Sequence, residues 1–296
     1  MMKEKLKGVI APITTPFAQS GEVDYAGLKK NMAFYATSGI HGYLALGSNG
    51  ENKSLTNEEK LEVLRLIVEN KGPQQFVMVG CIFESTFETI RYAKEYEKIG
   101  VDFLTLLAPS YFKKQMTDAA LKKYFCDIAD AVQTPCVLYN APQFCAGTTL
   151  SVKLVTECAE HPNIVGLKDS SKGNIDSFLL AARDKLSITA GTADIFLNGM
   201  LMGSPGGIVS LANVFPAAAI ELYDLIVAKK YEEAFACNEK VLHLNKGVSG
   251  AGGVAAVKYG MDLAGLVGGE PRLPLLPLPE ETKQKMEAFL KKEGLI

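Results

Sequence analysis

The feature that most constrains the fold is a regular alternation of short apolar runs with amphipathic segments. Eight runs are rich in β-branched residues and have the length of strands, at 8–17, 42–48, 76–82, 103–110, 135–142, 164–171, 186–194 and 206–213. They are apolar throughout rather than alternately polar, which is typical of parallel strands covered on both faces. The pattern therefore predicts eight parallel strands.

Helix signals separate these strands. Thr56 and Glu59 fit a capping box, as do Ser85 and Glu88, and Gly100 marks the end of the second of these helices. Further helices are predicted at 24–38, 117–132, 151–160 and 175–185. Eight strand–helix units in about 215 residues favour a closed (β/α)8 TIM barrel of the α/β class over an open doubly wound sheet. Neither glycine-rich nucleotide-binding motif follows the first strand, which weakens the open-sheet alternative further.

The last 80 or so residues follow a different pattern, because the strand runs stop after residue 215. Helices are predicted at 217–228, 231–245, 251–263 and 279–293, with a glycine-rich bend at 247–253 and the segment PRLPLLPLP at 271–279 between them. We predict two parts: a catalytic barrel at 1–215, and a C-terminal helical segment at 216–296 that packs on the barrel and is not an independent domain.

Composition narrows the class of partner. The net charge is −2 and the basic residues are scattered, so we expect neither nucleic acid nor an anionic membrane as a partner. The apolar runs are too short to span a bilayer, and no secretion signal is recognisable. Six cysteines occur singly, without a CxxC pair, which favours a reducing compartment and hence the cytoplasm. His41, His161 and His243 lack the spacing of metal ligands, so we expect no bound metal.

In a barrel of this type the active site lies at the C-terminal ends of the strands, and Lys168 ends the sixth. Strand alternation places Ile164, Gly166 and Lys168 inside the barrel, with Val165 and Leu167 toward the helices. Burial disfavours the ammonium form of a lysine, and the neutral amine is the form that adds to a carbonyl. A lone lysine at a strand end more often reaches solvent. The polar residues that converge at the same mouth favour catalysis here.

Tyr139 ends the neighbouring fifth strand. A phenol can pass a proton along a hydrogen-bond chain, and Ser48 and Tyr111 could complete such a chain. Taken singly, each tyrosine would be interpreted as a packing residue with a satisfied hydroxyl. The loop at 47–51 is flanked by glycines, so its backbone N–H groups could bind a carboxylate. We expect Glu51 to brace this loop rather than to act on substrate.

Several motifs in register resemble the dihydrodipicolinate synthase/N-acetylneuraminate lyase superfamily. They are GSNGE at 47–51, LYNAP at 138–142, GLKD at 166–169, Gly-Ile at 207–208 and the segment at 272–277. The resemblance covers essentially the whole chain. It implies that Lys168 forms an imine with pyruvate or another 2-oxo acid and that Tyr139 shuttles the proton. It also implies that Ser48 links Tyr139 to Tyr111, which reaches in from a neighbouring subunit.

The resemblance has further implications for binding and assembly. The amides of Ser48 and Asn49 would hold the carboxylate of the 2-oxo acid, and Ile208 would form the pocket wall. The family uses no cofactor and is usually a homotetramer built as a dimer of dimers.

The chain departs from the dihydrodipicolinate synthases at positions that bear on the substrate. Their arginine after the tyrosine strand is missing from 143–147, where the stretch QFCAG is one residue longer, and Asn49 and Ser110 replace a threonine and a tyrosine. Loss of an arginine removes both charge and bidentate geometry for a carboxylate. HPNIVGLKDS at 161–170 resembles 4-hydroxy-2-oxoglutarate and 2-keto-3-deoxy-sugar-acid aldolases more closely.

We therefore predict a lyase of the aldolase type that cleaves a 4-hydroxy-2-oxo acid to pyruvate and an aldehyde. The first alternative is a 4-hydroxy-tetrahydrodipicolinate (dihydrodipicolinate) synthase, which condenses pyruvate with aspartate semialdehyde. A dehydratase of related sugar acids is a second alternative, and a non-catalytic sensor of a small oxo acid is a third.

Overall fold

The computed structural model describes residues 3–171, 173 and 175–296. Eight parallel strands pair in chain order, and the eighth pairs with the first to close a barrel. The predicted (β/α)8 TIM barrel is thereby confirmed. The strands are β1 Gly8–Pro12, β2 Gly42–Ala45, β3 Phe76–Cys81, β4 Phe103–Leu107, β5 Cys136–Asn140, β6 Ile164–Asp169, β7 Ser187–Ala190 and β8 Gly206–Ile208.

The predicted strand starts are accurate and the predicted ends are not. Every predicted start lies within one residue of the observed start, whereas the predicted runs continue past the observed ends, by one residue at β3 and by five at β1 and β8. The residues after each strand leave the ladder to form the loops at the barrel mouth. Their apolar composition reflects burial under these loops, which a pattern of hydrophobicity cannot distinguish from strand pairing.

Helices surround the barrel and continue beyond it. They are α1 Tyr25–Tyr35, α2 Asn57–Asn70, α3 Thr86–Ile99, α4 Asp118–Ala131, α5 Val152–Cys158, α6 Ile175–Ala182, α7 Phe196–Leu201, α8 Pro216–Val227, α9 Tyr231–Gly247, α10 Ser249–Leu263 and α11 Glu280–Lys292. The six-residue α7 was not predicted, since it is too short to show helical periodicity. No helix in the described part of the chain is both long and apolar enough to cross a membrane.

The two predicted capping boxes have different outcomes. Thr56 accepts a hydrogen bond from the Glu59 N–H, and the Glu59 carboxylate accepts one from the Thr56 N–H, so the box at α2 is complete. At α3 the Ser85 hydroxyl accepts from the Glu88 N–H at 3.1 Å. The reciprocal hydrogen bond, from the Ser85 N–H to the Glu88 carboxylate, is not formed among the described residues. Gly100 ends α3 with φ 93°, a left-handed conformation that glycine adopts without strain.

The position of α8 bears on the boundary between the two predicted parts. Helix α8 contacts β1 and α7, so it is the eighth helix of the barrel. The predicted boundary at 215/216 separates β8 from this helix, and we propose the end of α8 as the boundary instead. The C-terminal helices have a small apolar cluster of their own, which includes Val257, Met261 and Leu290, while Val241 and Leu244 of α9 join the main core. The segment therefore packs on the barrel.

An irregularity in β6 changes which side chains face the interior. Cys136 pairs with Ile164 and Val137 with Gly166, so Val165 is an extra residue between two successive pairs. Ile164 packs in the core that the helices cover, and Val165 packs against the apolar cluster inside the barrel. The prediction for these two residues was wrong, because a bulge reverses the alternation that it interrupts. Beyond the bulge the predicted alternation holds, and Gly166 faces the interior.

Candidate active site

Lys168 lies inside the barrel near the C-terminal end of β6. It pairs in register with Tyr139 on β5 and with Thr189 on β7. Only 4% of the residue is exposed, and its Nζ lies 4.3 Å from the centroid of the Tyr139 ring. The structure therefore brings the predicted nucleophile into direct contact with the predicted proton carrier.

A closed apolar layer lies on the N-terminal side of this pair. Eight buried side chains fill the interior there, and they are Leu6, Ile10, Leu44, Phe76, Met78, Phe103, Val137 and Ile208. Ile208, predicted as part of the pocket wall, is fully buried in this layer. Because the layer blocks the barrel from below, the Lys168 amine is accessible from the mouth alone.

Ser48 extends the pair toward the loop that follows β2. Its Oγ lies 3.5 Å from the Tyr139 Oη, and either hydroxyl could be the donor. This distance is at the outer limit of a hydrogen bond. Lys168 thus lies next to Tyr139, and Tyr139 lies next to Ser48, as the motifs predicted.

The loop at 47–51 is tightly turned, and its own hydrogen bonds engage only part of its backbone N–H groups. Leu46 and Glu51 both have a left-handed backbone, with φ of 53° and 52°, which is strained for residues other than glycine. The N–H groups of Gly50 and Glu51 bond within the turn. In the described residues no hydrogen bond engages the N–H groups of Ser48 and Asn49. Adjacent free N–H groups in a turn of this kind can bind an anion.

Glu51 braces this loop against the C-terminal segment. Its Oε1 accepts from the Lys258 Nζ at 2.8 Å and its Oε2 from the Arg272 N–H at 2.9 Å. Lys258 also donates to the carbonyls of Thr15 and Glu270, each at 2.9 Å, so all three of its donors have partners. The side chains of Glu51 and Lys258 are completely buried. Burial lowers the pKa of Lys258, and the Glu51 carboxylate opposes that shift.

Arg272 connects the same network to helix α2. Its guanidinium makes a bidentate pair with Glu59, with both N–O distances 2.7 Å, and donates to the Ser54 carbonyl. The hydrogen bond from Arg272 lowers the pKa of Glu59. The ring of Phe17 lies 4.4 Å from both the Arg272 Cζ and the Lys258 Nζ. The sequence analysis did not identify Lys258. Its only signal was a lysine among the apolar positions of a predicted helix.

Tyr111 is not part of the cluster within this chain. It is 81% exposed, and its ring contacts Phe112 edge-on at a centroid distance of 5.0 Å. No contact between its side chain and Ser48 or Tyr139 occurs among the described residues. The structure therefore brings four of the predicted site residues together (Lys168, Tyr139, Ser48 and Asn49) and leaves Tyr111 on the surface.

Asn140 and Asp169 connect β5 and β6 one position beyond Tyr139 and Lys168. The Asn140 Nδ2 donates to the Asp169 Oδ1 at 2.8 Å, and the Ser171 hydroxyl donates to the same oxygen at 2.7 Å. Burial raises the pKa of Asp169, although these hydrogen bonds oppose the shift. The Asp169 Oδ2 is buried without a partner in the described residues. We expect this contact to hold the register of Tyr139 and Lys168.

The loop after β5 occupies the position of the missing arginine. Phe144 is 51% exposed, and Gln143 donates to the Ser170 carbonyl at 3.4 Å. The Lys113 Nζ lies close to Gly147, and a Cβ built on this glycine would be 3.1 Å from that nitrogen.

Across residues 3–171, 173 and 175–296 there is no group of three or more His, Cys, Asp or Glu residues that could hold a metal ion. Asn49 donates to the Ser210 Oγ at 2.7 Å, which joins the loops after β2 and β8.

Comparison with known proteins gives the family. The model of the dihydrodipicolinate synthetase family matches residues 5–293. A probable mitochondrial 4-hydroxy-2-oxoglutarate aldolase from Emericella nidulans is 32% identical over 289 residues, which cover 95% of this chain and 93% of the relative. A 4-hydroxy-tetrahydrodipicolinate synthase from Methanocaldococcus jannaschii is 31% identical over 292 residues, covering 98% and 99%.

A solved structure agrees with this assignment. The chloride-inhibited dihydrodipicolinate synthase from Acinetobacter baumannii, crystallised with pyruvate, superposes with a TM-score of 0.93 at 30% identity, covering 98% of this chain and all of that one. The superfamily that the motifs predicted is confirmed. The chain belongs to the dihydrodipicolinate synthetase family of lyases.

Proposed function

We propose that this lyase is a Schiff-base-forming aldolase that cleaves a 4-hydroxy-2-oxo acid to pyruvate and an aldehyde. The observation that carries the proposal is Lys168, a residue that is 4% exposed and whose Nζ lies 4.3 Å from the centroid of the Tyr139 ring, above the apolar layer that fills the barrel. A lysine amine can add to a carbonyl, and a phenol beside it can take and return protons.

The reaction proceeds through an imine. The Lys168 amine adds to the C2 carbonyl, and loss of water gives the imine. The imine nitrogen is protonated at this stage. Tyr139 passes its own proton to Ser48 as it takes the proton of the C4 hydroxyl, and the C3–C4 bond breaks. The aldehyde leaves, and the bonding electrons neutralise the iminium to form an enamine on Lys168. Protonation at C3 regenerates the imine, and water hydrolyses it to release pyruvate and the free amine. Ser48, 3.5 Å from Tyr139, carries the proton between the phenol and the mouth of the barrel.

Substrate binding follows from the two free amides. The N–H groups of Ser48 and Asn49 hold the carboxylate next to the carbonyl, which orients C2 toward Lys168. Ile208 bounds the pocket on its apolar side. The buried Glu51–Lys258 pair keeps the strained turn in this conformation when no substrate is present.

Tyr111 completes the proton chain from a neighbouring subunit. Its side chain is 81% exposed and that of Phe112 64% exposed, so an aromatic pair is presented on the surface next to the barrel mouth. Exposed aromatic side chains of this size are typical of an interface. The assembly is a homotetramer built as a dimer of dimers, and the protein resides in the cytoplasm, which agrees with six free cysteines.

The distal part of the substrate distinguishes the aldolase from the synthase. The loop at 143–147 offers no guanidinium, and a relative 32% identical to the chain is named a 4-hydroxy-2-oxoglutarate aldolase. A second candidate, 4-hydroxy-tetrahydrodipicolinate synthase, is favoured by the name of the relative from Methanocaldococcus jannaschii. Both substrates carry a distal carboxylate, for which Lys113 supplies one positive charge at this loop.

Borohydride trapping tests the proposal directly. With pyruvate and borohydride the protein should gain the mass of one reduced pyruvate on Lys168. Lys168→Ala should gain none and should lose turnover while its circular dichroism is unchanged. Lys94→Ala, which removes an exposed lysine on α3, is the matched control and should behave as the unaltered protein. Full turnover in Lys168→Ala would refute the mechanism.

A substrate panel then separates the candidates. We expect release of aldehyde and pyruvate from at least one 4-hydroxy-2-oxo acid. Consumption of aspartate semialdehyde in preference would identify the synthase. Loss of water without a released aldehyde would identify a dehydratase. A folded protein that forms no adduct and turns over no member of the panel would be a sensor.

A further inference from the structure

Glu84 makes an unusual set of contacts at the barrel mouth. It lies between β3 and α3, and its carboxylate accepts three hydrogen bonds from two consecutive residues of the loop after β4. The Ser110 N–H and the Tyr111 N–H donate to its Oε2 at 2.9 and 3.0 Å, and the Ser110 hydroxyl donates to its Oε1 at 2.9 Å. The Lys53 Nζ lies 3.5 Å from the same carboxylate.

These hydrogen bonds favour the ionised form of the carboxylate. Burial raises the pKa of Glu84, but the N–H groups of Tyr111 and Ser110, the Ser110 hydroxyl and the charge of Lys53 together outweigh it, so the pKa lies below its usual value. At neutral pH the acceptor is therefore charged, and hydrogen bonds to a charged acceptor are the stronger kind.

Apart from these hydrogen bonds, few contacts orient the Tyr111 side chain. Its side chain is 81% exposed and touches Phe112, which is itself 64% exposed. The residue before Ser110 is Pro109, which has no N–H to donate, so the amides of Ser110 and Tyr111 are the first donors available at the turn. The Glu84 carboxylate binds both. The direction in which the Tyr111 side chain leaves the surface is therefore set through its backbone, by Glu84.

We propose that Glu84 is a positioning residue that aims Tyr111 into the active site of the neighbouring subunit. The inference rests on the proposed function, in which Tyr111 completes the proton chain. It also accounts for Ser110, which stands where the dihydrodipicolinate synthase pattern has a tyrosine: its hydroxyl supplies the third hydrogen bond to the carboxylate.

A similar arrangement, with two backbone N–H groups and one hydroxyl donating to a glutamate, occurs at the opposite end of the barrel and provides a control. The Glu97 Oε1 accepts from the N–H groups of Gln133 and Thr134, at 2.7 and 2.6 Å, and from the Thr134 hydroxyl at 3.0 Å. These residues precede β5 and therefore lie at the N-terminal face, away from the mouth. Glu97→Ala removes the same three bonds from a turn that carries no catalytic side chain.

The test is a double-mutant cycle on a partial reaction. The exchange of the pyruvate methyl protons with deuterium, followed by NMR, requires the enamine and the proton chain but no second substrate. Glu84→Ala should slow the maximal exchange rate by roughly 10- to 100-fold, the effect expected of a misplaced catalytic group, with a smaller change in the KM for pyruvate. Glu97→Ala should leave the exchange rate unchanged. It should lower the melting temperature by about as much as Glu84→Ala does.

The cycle distinguishes positioning from general destabilisation. In a Tyr111→Phe background, Glu84→Ala should cost less than about twofold, because its effect is exerted through the hydroxyl already removed. Glu84→Gln retains an oxygen that can accept from the two N–H groups and should recover part of the rate. An undiminished loss in the Tyr111→Phe background, or no recovery in Glu84→Gln, would contradict the inference.

The same data separate a failure of the inference from a failure of the proposed function. If Tyr111→Phe exchanges protons at the full rate, the role proposed for Tyr111 is wrong and the role of Glu84 is wrong with it. If Tyr111→Phe is impaired and Glu84→Ala is not, only the inference about Glu84 is wrong. If the unaltered protein neither exchanges protons nor forms an adduct with borohydride, the proposed function itself is wrong.

Discussion

Replacing Lys258 by methionine tests how much the brace beneath the loop at 47–51 contributes. The methionine keeps most of the length of the side chain and removes the ammonium. Glu51 then loses one of its two donors, and the carbonyls of Thr15 and Glu270 lose theirs, all in a region where the side chains of the ion pair are completely buried. Breaking a buried ion pair by removing one partner costs about 3–5 kcal/mol.

The second half of the test removes both charges. Glu51→Gln alone should also be destabilising, because it leaves the ammonium of Lys258 without a counter-charge. In the double variant neither charge of this pair remains, so its loss should be smaller than the sum of the single losses by about 1–3 kcal/mol. This difference measures the coupling between the two side chains, free of the packing change that each substitution brings.

Thermal unfolding followed by circular dichroism is the assay. At about 2 °C per kcal/mol for a chain of this length, the loss for Lys258→Met corresponds to about 6–10 °C. Lys285→Met, which breaks an exposed pair with Glu281 on α11, is the control and should change the unfolding free energy by less than about 0.5 kcal/mol. A loss for Lys258→Met as small as that of the control, or strict additivity in the double variant, would refute the argument that the brace is a coupled buried pair.

Three further predictions concern stability. Thr56→Ala removes the cap of α2 and should cost about 1 kcal/mol in urea titrations, and no loss would mean that solvent satisfies the first turn equally well. Because Arg272 lowers the pKa of Glu59, the stabilisation that this ion pair gives the folded protein should be complete above pH 4.5. It should decline as the pH falls through the lowered pKa of Glu59. Arg272→Met should flatten this part of a urea-derived stability curve, and an unchanged slope would exclude the pair as its source. Gly80→Ala should cost about 1–3 kcal/mol by the same titration, since its Cβ would lie 2.1 Å from the Leu46 carbonyl oxygen, and a stable variant would show that the backbone can shift there.

Much of the fold followed from local patterns. The strand starts, the cap at Thr56 and the interior position of Lys168 depend on composition and alternation over a few residues, and these were predicted correctly. The orientation of Val165 was not, because a bulge is fixed by pairing with β5 and leaves no mark in the strand's own sequence. Helix α7 was missed because six residues are too few for a period of 3.6 to show.

The candidate site was predictable in part for the same reason. Lys168 and Tyr139 end adjacent strands, so a barrel alone requires them to be neighbours. Lys258 and Glu51 are 207 positions apart in the sequence, and nothing near either residue indicates the other. Glu84 stands in a short turn before a helix, and the backbone N–H that it accepts from Tyr111 lies 27 positions further along the chain. Contacts between distant segments are the part that pattern analysis does not reach.

The dependence of the loop at 47–51 on Lys258 and Arg272 has a consequence for biosynthesis. All eight strands are complete by residue 208, so most of the barrel can form before residues 258–272 have been made. Until Lys258 has emerged from the ribosome, Glu51 has no buried cation. Until Arg272 has emerged, the second oxygen of Glu51 has no partner, and the strained turn that Glu51 braces is incompletely supported. A nascent chain can therefore have a closed barrel with Lys168 in position while the turn at 47–51 is still unbraced. Under the function proposed above, the capacity to bind a carboxylate is then acquired only after residues 258–272 have been made, well after the strands that carry Tyr139 and Lys168.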